Sequence, residues 1–330
     1  MGVRLRMRTG AGAGSDAALQ APHRRGGPAR LVAAALAALG PLLGLAACTS
    51  APSVGDGSVG GDWAVLPTPS VPVPPEGACT AADGPQTAGL TLAFLPGTAV
   101  DCTKPHLSET FSVGTFPAQA DTDSSTVPTV GTARFRYAYG ECVRQAKTFL
   151  GRDPHTSALV VLPVMPSERQ WAGQARWFRC EVVEIAGLDR TVVVRSESLR
   201  HALTGAGPLA TTCADVQLNA THDQVLAVTF TPCGQEHDAE LVGAYTLPDG
   251  DYPSAARIQS LTSTGCPPVG AAYVGIPATD LIRPGSEVYT FASGLTKDQW
   301  SAGERTTSCF FGSSAKRRTG SIKGVRAFPY

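Results

Sequence analysis

An ordered set of scarce residues occurs twice in this chain. Cys102-x3-His106-x2-Glu109 leads to Trp171-x4-Arg176-x3-Cys180, and about 130 residues later Cys233-x3-His237-x2-Glu240 leads to Trp300-x4-Arg305-x3-Cys309. With nine Cys and four Trp among 330 residues, matched offsets in matched order point to a duplicated unit rather than coincidence. A duplication constrains the fold strongly, because each copy must bury a core from its own residues. The boundaries expected are 77–204 for copy 1 and 209–330 for copy 2.

The first 47 residues have a different character. Arg4, Arg6, Arg8, Arg24, Arg25 and Arg30 face a single acid, Asp16, and the 17-residue apolar stretch Leu31 to Ala47 is broken by Gly40, Pro41 and Gly44. That layout of basic and then apolar regions predicts an export signal over 1–47; the apolar run is short for a membrane span. It ends in Leu45-Ala46-Ala47-Cys48, which looks like a bacterial lipobox, so Cys48 is the expected lipidation site. The chain is then expected outside the cell, held at the extracytoplasmic face of the membrane through an N-terminal diacylglycerol. Each buried methylene contributes about 0.8 kcal/mol, so several acyl chains make such an anchor durable.

Residues 1–47 hold six of the 27 basic and one of the 27 acidic side chains, leaving a net charge of about −5 on the remainder. A mildly acidic domain offers no basic footprint for nucleic acid. Residues 48–76 are rich in Ser, Gly, Pro and Thr, a composition that reads as an extended spacer.

Setting Cys48 aside leaves eight cysteines, an even number that in an exported chain predicts disulfides. Cys79, Cys102, Cys142 and Cys180 fall in copy 1; Cys213, Cys233, Cys266 and Cys309 fall in copy 2. If each copy is self-contained, three pairings per copy remain, and the favoured set is Cys79 with Cys102, Cys142 with Cys180, Cys213 with Cys233, and Cys266 with Cys309. No Cys-x2-Cys or His-x3-His spacing supports structural zinc.

Periodicity predicts one main helix per copy. In copy 1 Phe135, Ala138, Cys142, Ala146, Phe149 and Leu150 form a helical stripe that stops at Gly151. Strands are expected at Thr91 to Phe94, Ser108 to Phe116, Ala158 to Leu162 and Trp177 to Ile185, with a turn or short helix from Pro166 carrying Trp171. In copy 2 the strands expected are Val225 to Thr231, Ala239 to Thr246, Glu287 to Phe291 and Arg305 to Phe311, with a helix opened by Pro253. The class is α+β: two disulfide-stapled domains, each a small mixed or antiparallel sheet with one helix.

The Cys-x3-His-x2-Glu element, the Cys-bearing helix, Trp300-Ser301-Ala302-Gly303-Glu304-Arg305 and the closing Thr319-Gly320-Ser321-Ile322-Lys323-Gly324 together resemble the septum-formation domain of actinobacterial membrane and secreted proteins. Copy 2 fits the pattern better; copy 1 has Leu107 where that family usually shows Asp. The resemblance covers most of residues 79 to 324 and implies a link to division septa or the cell envelope. It supplies no catalytic residues and no cofactor.

Local motifs for catalysis are missing: there is no Gly-x-Ser-x-Gly, Ser-x-x-Lys, His-Glu-x-x-His or phosphate-cradling glycine loop. Glu168 and Glu304 stand at different offsets from their tryptophans, so the repeat encodes no carboxylate pair. On a strand, residues three apart face opposite ways, so His106 and Glu109, or His237 and Glu240, are not expected to converge on an ion. The structural reading is favoured for these residues, with Trp171 and Trp300 as buried plugs stacked on Arg176 and Arg305. The function expected is therefore a non-enzymatic binding module with envelope or divisome partners. The alternatives are a hydrolase with a site at the seam between the copies and a structural spacer. Function is expected where the copies differ, or at that seam.

Overall fold

The runs Trp177-Phe178-Arg179-Cys180-Glu181-Val182-Val183 and Thr307-Ser308-Cys309-Phe310-Phe311 carry apolar residues toward both faces, which only a strand covered on both sides can tolerate. The computed structural model describes residues 3–4, 6–7, 73–81, 87–89, 98–117, 125–205, 207, 209–282 and 287–330. It places each run on an interior strand of a five-stranded antiparallel arrangement. Copy 1 contributes β3 (Cys79–Ala81), β4 (Thr98–Val100), β5 (Ser108–Thr115), β6 (Leu159–Val164) and β7 (Trp177–Glu184), in the order β4-β3-β5-β7-β6. Copy 2 contributes β8 (Cys213–Leu218), β9 (Gln224–Thr231), β10 (Ala239–Thr246), β11 (Val288–Ala292) and β12 (Thr306–Ser313), in the corresponding order β9-β8-β10-β12-β11. Two short N-terminal strands, β1 (Val3–Arg4) and β2 (Arg6–Met7), add parallel to β11 and β9.

One face of each sheet is covered by its helix. Helix α1 (Ala133–Leu150) starts at Thr132, whose side chain caps the Phe135 amide, and stops at Gly151, where φ of 86° is readily reached without a Cβ. Its stripe packs on Phe111, Phe178, Cys180 and Val182. Val183 of β7 and Ile185 just beyond its end join a second cluster with Leu107, Leu162, Val164 and Val192. Copy 2 repeats the division: Cys309 and Phe311 face helix α3 (Ala255–Val274), while Phe310 stacks on Phe291 on the other face. Each such fully buried side chain contributes roughly 1.5–3 kcal/mol.

The sequence expectations hold for both helices and for seven strands, with shifts of one or two residues at the ends. Pro253 does not open α3; Ser254 is the capping residue, its hydroxyl accepting from the Arg257 amide. The helix continues through Pro267 and Pro268, and β3, β4 and β8 were not expected. The strand expected at Thr91 to Phe94, most of the 1–47 leader, Cys48 and most of the 48–76 spacer lie outside the described residues.

The four disulfides are Cys79–Cys102, Cys142–Cys180, Cys213–Cys233 and Cys266–Cys309. The second fastens α1 to β7 and the fourth α3 to β12; the first and third tie β3 and β8 to the loop ahead of β5 and β10.

Both sheets belong to one compact unit, Met1–Thr9 with Val71–Tyr330. After β7 the chain crosses to the other sheet: the Leu188 amide donates to the Val228 carbonyl at 3.0 Å, and the Phe230 amide to the Ala186 carbonyl at 2.7 Å. Gly187 lies so close to this strand that a Cβ would stand 2.3 Å from the Val228 carbonyl oxygen, so only glycine fits. Phe230 packs into the inner cores of both sheets.

Candidate functional site: the repeated clamps and the seam

The repeated His and Glu hold the chain that leaves each sheet. Glu109 accepts from the Ser198 hydroxyl and the Leu199 amide, both at 2.7 Å. Glu240 does the same in copy 2, accepting from the Ser321 hydroxyl, the Ile322 amide at 2.7 Å and the Tyr273 hydroxyl. Ser198-Leu199 and Ser321-Ile322 are thus a further repeated pair. His106 and His237 form backbone bridges with Arg195 and Arg318, and each donates from Nδ1 to a carbonyl two residues earlier, that of Lys104 at 2.7 Å and of Gln235 at 2.9 Å. The carbonyls place a proton on each Nδ1; both Nε2 atoms are buried and hydrogen-bond to nothing among the described residues.

The expectation that His237 and Glu240 face apart is overturned. One ligand atom each from Cys213, His237 and Glu240 lie within 4.8 Å of one another, as do those of Cys79, Cys102 and Glu109. Strand alternation does not apply to His237, because it precedes the first residue of β10 and sits in an isolated bridge. The sulfurs in both groups are disulfide-bonded and the carboxylates are occupied by the bonds above, so these atoms are committed to the fold.

The Trp and Arg residues also repeat contact for contact. Trp171 sits in α2 (Glu168–Ala172) and Trp300 in α5 (Lys297–Ser301), both opened by a capping box, Ser167 with Gln170 and Thr296 with Gln299. Both indoles are buried, with the guanidinium of Arg176 4.1 Å above one ring and that of Arg305 3.9 Å above the other. Each Arg Nη1 also donates at 2.8 Å to the carbonyls of its Trp and of the residue just before the Arg.

That preceding residue is where the copies part: Ala175 in one, Glu304 in the other. Glu304 is buried at the seam, where its Oε2 accepts from the Tyr139 hydroxyl of α1 and meets His155 Nε2 at 2.7 Å. The other ring nitrogen of His155 meets Asp153 at 2.7 Å, and Asp153 pairs with Lys147 at 2.9 Å. Glu304 Oε1 accepts from the amides of Arg305 and Thr306. Burial alone would push the His155 imidazolium down, but hydrogen bonds to Asp153 and Glu304, together with their charges, lift it to about 9. Burial would raise both carboxyls, yet His155 holds each below its usual range. The Tyr139 hydroxyl is driven well up by burial and by the Glu304 charge.

A protonated histidine between carboxylates from opposite copies is chemically an ionic rivet. The Ser308 hydroxyl donates to the His155 carbonyl at 2.8 Å and fastens the same turn to β12. Sequence reasoning passed over Asp153, His155 and Tyr139 because no repeated spacing marks them. The available signal was Glu304 standing where copy 1 has Ala175.

Among the described residues, no helix is long and apolar enough to cross a membrane. No curated protein and no solved structure is similar to the chain at a significant level. Residues 76–309, well over half of the chain, match the Septum formation family in one span that runs through both sheets and the seam, and the chain belongs to that family.

Proposed function

We propose that the protein is a lipid-anchored extracytoplasmic lipoprotein whose folded unit acts as a non-enzymatic binding module in septum-associated envelope assembly. The observation that carries this reading is the family match over residues 76–309. It is supported by the way the repeated polar residues are used. Glu109, Glu240, Arg176 and Arg305 spend their hydrogen-bonding groups on backbone and side chains of the fold, and so do His155 and Glu304, on each other and on Asp153, Tyr139 and the Arg305 and Thr306 amides. Residues committed in this way serve rigidity, which a docking surface needs. The lipobox-like Leu45-Ala46-Ala47-Cys48 and the Pro-rich spacer after it supply an anchor and reach.

The test is a tagged chain in cells. The intact protein is expected in the membrane fraction and concentrated at division septa, and Cys48→Ala is expected to move it to the soluble exported fraction. Uniform distribution along the envelope, with septa unchanged on deletion, refutes the septal reading. Membrane retention of the Cys48→Ala protein refutes the anchor.

A further inference from the structure

The two sheets share strand order but differ in how the inner end is closed. Ten residues lie between Glu184, the last of β7, and the bridge residue Arg195; only four lie between the corresponding Ser313 and Arg318. Copy 1 uses its longer excursion to plug itself: Ile185 pairs with Val192, and both are buried with Ala88 against Leu162 and Val183. Copy 2 lacks that plug. At the same end it has a cavity of about 200 Å³, lined by Val216, Leu218, His222, Asp238, Tyr289 and Ser313 among others.

Two strand edges flank this opening. One belongs to β11, whose other edge pairs with β12; the other is the first part of β9, whose later residues are taken by Ala186 to Leu188. Both free stretches are occupied by the two short N-terminal strands. Val3 and Arg4 pair in parallel with Tyr289 and Thr290, and Arg6 and Met7 with Gln224 and Val225. Two adjacent pairs of residues on one segment thus satisfy two edges at once, with Tyr289 common to the edge and the cavity. The segment lies in the leader that the lipoprotein reading removes, so in the processed chain both edges are left open.

We infer that the opening in copy 2 between β11 and β9 is a strand-acceptor site that takes an extended, basic segment of a partner chain. Backbone pairing to the two edges supplies affinity, and the cavity beside Tyr289 selects a side chain, the division of labour usual in strand addition. The preference for basic residues follows from exposed Asp223 and Glu287, which stand one and two residues before the paired stretches. An open pair of edges is a hazard in an exported protein unless something covers it. This inference rests on the reading that residues 1–47 are removed and names the binding surface of the proposed module.

The test uses oxidised chain 48–330 with Cys48→Ser, the full chain, and a labelled peptide of residues 1–9. Anisotropy should show saturable binding to chain 48–330 and at least tenfold weaker binding to the full chain, whose own segment competes. Backbone N-methylation at Arg4 and Arg6 should abolish binding, and amides at 224–225 and 289–290 should gain exchange protection with the unmodified peptide. No binding to chain 48–330, or binding equal for N-methylated and scrambled peptides, overturns the site. Septal localisation and the Cys48→Ala fractionation are separate readouts, so failure here leaves the anchor reading to its own test.

Discussion

Replacing Glu304 by Gln removes one charge from the seam while keeping the shape of the side chain and an oxygen for the Arg305 and Thr306 amides. His155 is lifted from 6.5 to about 9, which converts to about 3 kcal/mol of preferential stabilisation of the imidazolium, divided between Asp153 and Glu304. Losing the Glu304 share should cost about 2 kcal/mol near neutral pH, or a fall of roughly 4–8 °C in Tm for a unit of this size. The sign of the pH dependence follows from linkage. A raised histidine contributes fully below its unfolded value and loses the contribution as pH rises through about 9; the lowered carboxyls of Asp153 and Glu304 contribute above their unfolded values and lose it in acid. The difference in stability between the parent and Glu304→Gln should therefore be largest around pH 5–7 and shrink toward pH 10. Urea unfolding of the oxidised protein across that range measures it, and the His155 ring resonance should titrate at lower pH in the variant. A variant within about 0.5 kcal/mol of the parent throughout, with an unshifted His155 titration, refutes the rivet.

Two other predictions concern the covalent frame and the clamps. Converting Cys142 and Cys180 together to Ala frees a closure of 38 residues, which by chain entropy should lower stability by about 4 kcal/mol, measurable by calorimetry under non-reducing conditions; an unchanged Tm counts against that bridge fastening α1 to β7. Glu240→Ala leaves the Ser321 hydroxyl, the Ile322 amide and the Tyr273 hydroxyl without their shared acceptor, so limited proteolysis should cut after residue 313 at least tenfold faster than in the parent. Equal cutting rates would mean that Glu240 does not hold this segment.

Much of this architecture was legible because it is written in local periodicity and repeated spacing. The α1 stripe from Phe135 to Leu150 with its Gly151 stop, and the strand Ala239 to Thr246, need only neighbouring residues to declare themselves. Strands β3 and β4 were not legible. They are three residues each, and their identity comes from pairing with each other and from the backing of β5. The His237 geometry was misread for a related reason: the alternation rule holds inside a strand, and the residue stands outside one.

By itself the sequence determined the repeated spacings, the helix faces, the favoured cysteine pairing and the family resemblance, because each depends on residue identity at fixed offsets along the chain. Only the tertiary structure decided what happens between the copies. Asp153 and Glu304 are 151 positions apart, and no spacing rule links them; they meet through His155 because the turn after α1 is laid against β10 and β12. The β9 and β11 edges that pair with Arg6–Met7 and Val3–Arg4 likewise stand at opposite ends of the five-strand order of copy 2, and that both meet the same N-terminal residues appears only once the sheet is folded. Interactions set by chain distance can be read along the chain; those set by closure of the fold cannot.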